Sequence, residues 1–196
     1  MNYCEELMNV KKNDEEIKEK RRKVYNYLYE NVFNKNKNFE NIKDDDIEKW
    51  FKIIDKVFFD NNLKKQLIKL NAKLDFIWCK KLKKSWGACN CSYKKFYDHI
   101  KWNFSIKISL KIFSNLFAKN EKILKNGGLN CEDRLSCYIL TLEHEIIHLI
   151  IFMFCFNEKD SSHWIMFRKI IYNIFWHTKV THNLLHFEND DELKKK

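Results

Sequence analysis

The chain has 196 residues, 45% hydrophobic and 33% charged, which is enough apolar material for one folded domain and too much for a disordered chain. Its longest uninterrupted apolar run, Leu149 to Phe156, is eight residues, far short of a bilayer span, so no membrane partner is expected. The formal net charge is +10, and seven cysteines (4, 79, 89, 91, 131, 137 and 155) form an odd set with no framework-like spacing. With Met1 to Lys23 too charged for a signal peptide, this usage implies reduced thiols inside the cell, in the nucleus or cytoplasm. Proline is absent and Lys, Asn, Ile and Phe are abundant, the mark of an AT-rich coding sequence as in some protists and large DNA viruses. For a virus-encoded chain, that compartment would be the host cell's.

Residues 1–23 are polar and charge-mixed. Apolar positions at helical spacing predict a helix from Asp14 through Val24, Leu28 and Val32, followed by a polar linker, Asn34 to Asn41. Asp44, Asp45 and Asp46 open a second helix, where carboxylates complement the N-terminal dipole, and Trp50, Ile53, Ile54, Val57 and Phe58 continue it. Strands are expected at about 74–80, 86–94 and 102–109. Cys89-Asn90-Cys91 is too close for a Cys-x-x-Cys zinc knuckle and reads as strand. Gly127-Gly128 breaks the chain before a helix running from Arg134 to Phe156. A polar turn, Asn157 to Ser162, precedes a last helix that starts near His163 and carries Phe167, Ile170, Ile171 and Ile174. Helices around one small sheet make an α+β domain. The expected organisation is an N-terminal helical extension and linker over 1–43, the main domain over 44–180, and a polar tail over 181–196.

Within the long helix, His144-Glu145-Ile146-Ile147-His148 spells His-Glu-x-x-His. Positions i and i+4 share a face, so both imidazoles can point at one metal ion, and Glu145 can serve as general base toward a water. Leu140, Leu142, Ile146, Ile147, Leu149 and Ile150 make the helix apolar around most of its circumference, which assigns it to the core. Buried His and Glu need a partner, and a metal supplies one. A catalytic zinc keeps three protein ligands and a water. The extension that places a further Gly and His shortly after the motif is absent, because Ile151 and Phe154 occupy those positions. His163 is the next candidate for third ligand; His177, His182, His186 and Glu158 are rivals, each better read as a structural or solvated group.

Charge is the second signal. Residues 61–126 hold 16 Lys and 3 acids, whereas 1–60 and 127–196 are close to neutral. Trp78, Trp86, Tyr93, Phe96, Tyr97, Trp102 and Phe104 interleave with these lysines. Lysines release counterions from phosphates and exposed aromatics stack on unpaired bases, so this region is a candidate nucleic-acid contact. Its named residues are Lys80, Lys81, Lys83, Lys84, Trp86, Lys94 and Lys95, with single-stranded DNA expected to bind at least as well as duplex.

The motif, the polar loop, and His163 followed four residues later by Phe167 resemble the SprT-like, Spartan-type family of zinc metalloproteases. Phe58 to Leu63 resembles that family's opening aromatic stretch, Leu74 to Trp78 its first strand, Trp86 to Cys89 its Gly-containing second strand, and Ile106 to Ser109 the edge strand before the active-site helix. The likeness covers about residues 45–177. Family members carry Gly on both sides of the third His, where Ser162 and Trp164 stand here, and no Cys-rich zinc ribbon follows. The resemblance implies a zincin-like domain in which a small three-stranded sheet packs against helices and the His-Glu-x-x-His helix lies in the core. It further implies one Zn²⁺ per chain on His144, His148 and His163, Glu145 as catalytic base, and cleavage of DNA-bound or DNA-crosslinked proteins. Two other functions are compatible with the residues. One is a non-catalytic, zinc-stabilised nucleic-acid-binding module; the other is an intracellular zinc protease without a DNA role.

Overall fold

The computed structural model describes residues 3–11, 13–37, 39, 43–82, 85–110, 124–155 and 165–180. Among these are six helices, a three-stranded sheet and a two-stranded hairpin, an α+β arrangement as expected. The elements in chain order are α1 (Tyr3–Asn9), α2 (Asp14–Asn31), α3 (Asp44–Phe59), α4 (Asn62–Lys69), β1 (Lys73–Cys79), β2 (Gly87–Lys95), β3 (Ile100–Ser109), β4 (Leu124–Asn126), β5 (Leu129–Cys131), α5 (Arg134–Phe154) and α6 (Ile165–Phe175).

Local chemistry sets several boundaries. The Asn13 side chain accepts the Glu16 N–H at 2.7 Å and starts α2. Asp46 accepts the Lys43 N–H at 2.9 Å, and three carboxylates fill the first turn of α3. Asp133 opens α5 by accepting the Ser136 N–H at 2.7 Å, and it also receives the Tyr25 hydroxyl at 2.6 Å. Buried Asp55 accepts the N–H groups of Leu63 and Lys64 at 3.1 and 2.9 Å, so a side chain of α3 caps the short α4. Burial raises the Asp55 carboxyl above its usual range more than these bonds lower it.

The sheet has the order β1-β3-β2, with β1 parallel and β2 antiparallel to β3, so Ile106 to Ser109, expected as an edge strand, lies instead in the central strand, bonded on both sides. One face carries Leu74, Phe76 and Trp78 opposite Phe104, Ile106 and Ile108, and continues on β2 through Gly87, Cys89, Cys91 and Tyr93. Phe104, Ile106 and Ile108 are buried on that face. An aromatic cluster of Phe33, Phe39, Trp50, Trp78 and Tyr138 joins the ends of α2, α3, β1 and α5.

α5 is long and apolar enough to cross a membrane by length and composition, yet nearly all of it is buried among the other elements, as befits a core helix. The N-terminal 1–43 stretch, expected as an extension, supplies core: Cys4, Leu7, Ile17, Val24 and Leu28 are buried in the same apolar cluster as α5 and α6. The expectation of uniformly reduced thiols is corrected at one pair. Cys4 and Cys155 form a disulfide that ties α1 to the end of α5, while Cys79, Cys89, Cys91, Cys131 and Cys137 are free. Gly127 and Gly128 do break the chain, but as the turn of the β4–β5 hairpin, both at positive φ.

Candidate metal and hydrolytic centre

The site is built on the middle of α5, where His144, Glu145 and His148 are all buried. The two imidazoles lie on one face with ring centroids 5.1 Å apart. Phe167 of α6 packs on both rings, 4.9 Å from His144 and 4.5 Å from His148. The second helix of the expected hairpin therefore reaches the motif face one turn after position 163. His163 itself lies outside the described residues, as do Glu158, His182 and His186. Among the described residues, no three His, Cys, Asp or Glu side chains gather into a metal-binding group.

Glu145 points to the sheet. The Cys89 N–H of β2 donates to its carboxylate, and burial nonetheless pushes its pKa up to about 8. Its Oε2 is buried without a protein hydrogen-bond partner. A cation beside the motif fits this donor set: two imidazoles at i and i+4 can ligate, and a carboxylate with an open oxygen stands next to them. Gly87 makes the arrangement sterically feasible. A Cβ there would lie 2.5 Å from Glu145 Oε1, 2.7 Å from its Cγ and 2.8 Å from its Cδ. Burial, with Glu145 adding, raises the Cys89 thiol well above its ordinary pKa.

One residue before the motif, Glu143 faces away from the site. Arg21 of α2 donates to it through Nε and Nη2 at 2.9 and 2.8 Å, and His177 Nε2 lies 2.8 Å from its Oε2. Burial alone would raise the Glu143 carboxyl, but Arg21 and His177 outweigh it and hold the group below its usual range. Burial lowers His177 more than Glu143 raises it, so the ring is neutral and Nε2–H donates. Arg21 also donates to the Phe175 carbonyl, and Thr178 and Lys179 donate to Gly127 O at 2.8 and 3.1 Å. Through Glu143, His177 thus helps to lock α2, α5 and the end of α6 together. Sequence reasoning missed Arg21 and Glu143. The only local signal was a carboxylate on an apolar helix, which demands a cation somewhere.

The residues named for nucleic acid do not form one patch. Lys80 and Lys81 follow β1 at the end of the sheet where β2 begins with Gly87, whereas Lys94 and Lys95 lie at the other end of β2. Gly87 and Lys95 are the two ends of a nine-residue strand, about 26 Å apart. Lys83 and Lys84 lie outside the described residues. Trp86 is only 2% exposed, and Ser109 donates to its carbonyl at 2.8 Å; it is a core residue and presents no stacking face. The exposed aromatics are at the far end: Tyr93, Phe96 and Tyr97 are 60%, 45% and 108% exposed, beside the exposed Lys94, Lys95 and Lys101.

Comparison of the chain with protein-family models, curated proteins and solved structures found no match.

Proposed function

We propose that this chain is a zinc-dependent protease of the SprT-like type, with a zincin-like domain, that works on proteins associated with DNA. The observation that carries the reading is the core of α5: two imidazoles at i and i+4 on one face, with a buried glutamate between them that has one oxygen open and the other side held by β2. His144 and His148 would hold the ion, with His163 as third ligand. Zn²⁺ bound there would make a water acidic enough to attack a carbonyl near neutral pH. Glu145 takes the proton of the attacking water on its carboxylate and delivers it to the leaving amine. Among the described residues β2 pairs only with β3, and the Cys89 N–H of its outer edge is taken by Glu145.

The aromatic and lysine-rich end of the β2–β3 hairpin supports the DNA part of the reading, with stacking from Tyr93, Phe96 and Tyr97 and phosphate contacts from Lys94, Lys95 and Lys101. Lys80 and Lys81, at the opposite end of the sheet, are separate from this cluster. The test is metal content of the purified chain together with casein cleavage, with and without chelator and single-stranded DNA. About one Zn²⁺ per chain, chelator-sensitive cleavage and stimulation by DNA are expected. Zinc without cleavage would leave a zinc-stabilised binding module; cleavage indifferent to DNA would leave an ordinary zinc protease.

A further inference from the structure

We propose that β2 is the positioning element for the general base, with Gly87 as the residue that determines where the Glu145 carboxylate sits. The inference rests on the reading of Glu145 as that base. α5 alone does not fix a long, flexible glutamate side chain. Two features of one strand do so here. The Cys89 N–H donates to the carboxylate, and Gly87, two residues earlier on the same face, leaves the space that the Glu145 Cγ, Cδ and Oε1 occupy. Gly87 is in extended strand and is not among the positive-φ residues, so its backbone conformation is open to any residue. What forbids a side chain at 87 is Glu145 itself. An added methyl would collide with a side chain rather than with backbone, so the fold can survive while the carboxylate moves.

A double-mutant cycle on stability, run on the metal-free chain, tests the contact. Gly87→Ala should lower the thermal midpoint in the native background and leave it unchanged in a Glu145→Ala background, where the obstructing side chain is gone. If Gly87→Ala alone fails to fold, the double variant should fold. An equal loss in both backgrounds, or a double variant that also fails to fold, overturns the contact. The positioning role is then read with zinc bound and below the unfolding temperature. Gly87→Ala should keep the zinc content and the KM for casein while kcat falls on the order of 10²-fold, the effect of a displacement near 1 Å in a reacting group. Unchanged kcat despite stability coupling would overturn positioning. If the native, zinc-loaded chain cleaves nothing, the base role falls and this inference with it, yet intact stability coupling would show that the failure lies in the hydrolase reading and not in the contact.

Discussion

The two ends of β2 break the ordinary rule of residue placement in opposite directions. At the Gly87 end, an ionisable group, Glu145, is buried against backbone where an apolar side chain would be usual. At the Lys95 end, Tyr93 and Tyr97 stand in solvent where polar groups would be usual, although Tyr93 is on the face that buries Phe104 and Ile106 further along. A buried carboxyl oxygen with no protein partner and an exposed cluster of large aromatics are each unfavourable for a fold considered alone. Under the proposed function, the nine residues of β2 run from the hydrolytic centre to the nucleic-acid contact. The aromatic residues of this stretch differ sharply in exposure. Trp86 and Tyr97 are both large aromatics in a lysine-rich stretch, and only the second is presented to solvent.

The strongest test of the buried end is Glu145→Gln. The amide keeps the shape and can still accept the Cys89 N–H, but it cannot take a proton. Cleavage should fall by about 10²–10⁴-fold with zinc content and fold retained. His144→Ala or His148→Ala should instead lose the metal itself, which metal analysis of the dialysed protein would report. Near-normal turnover in Glu145→Gln would remove the chemistry from this end of the strand.

Behind the site, Arg21→Ala separates anchoring from chemistry. It leaves Glu143 buried with only His177 as partner, and loss of one member of a buried pair costs about 3–5 kcal/mol. Denaturant unfolding should show this loss, while Zn²⁺ binding to the remaining folded protein should change little. A variant as stable as the native chain would mean that the Arg21 bonds do not hold α2 on α5.

Trp86→Ala and Tyr97→Ala divide the two ends directly. Trp86 fills core, so its truncation should cost about 3–5 kcal/mol of stability and leave the DNA affinity of the folded fraction unchanged. Tyr97 is fully exposed, so its truncation should leave the unfolding midpoint in place and weaken single-stranded DNA binding by about 1–3 kcal/mol. The reverse pattern would put the contact at the wrong end.

The parts of the fold that were legible in the sequence are those with strong local pattern. β1, β2 and β3 begin and end within two residues of expectation because alternating apolar positions meet short polar turns, and α2, α3 and α5 begin at Asp14, Asp44 and Arg134 as their capping residues require. α1, α4 and the β4–β5 hairpin went unread. Each is eight residues or fewer, too short to carry its own periodicity, and α4 is held by a carboxylate from another helix. In the candidate site, the placing of His144 and His148 on one buried face was readable because the i, i+4 spacing fixes it on a helix. Gly87 was quoted as part of a strand without its purpose, since the clearance it leaves for Glu145 exists only after the strand and the helix have packed. The Arg21–Glu143–His177 network and the Cys4–Cys155 pair join residues 34 to 151 positions apart, and nothing local announces them.

The smallest expected effect concerns the two separate lysine pairs. Lys80 and Lys81 lie near the Gly87 end, Lys94 and Lys95 at the aromatic end. If one nucleic-acid strand follows β2, both pairs touch phosphate. Reversing either pair to Glu should then lower the slope of log affinity against log salt by about 1.4, since a single strand releases about 0.7 counterion per neutralised phosphate. If only the aromatic end makes contact, Lys94→Glu with Lys95→Glu should flatten the slope and Lys80→Glu with Lys81→Glu should leave it alone. None of the four is placed at the metal site, so DNA-free cleavage of casein should be the same in both variants. A flattened slope from the Lys80 and Lys81 pair alone would draw the nucleic acid away from the hairpin and toward the Glu145 end of the strand, and Tyr97→Ala should then have no effect on DNA binding at all.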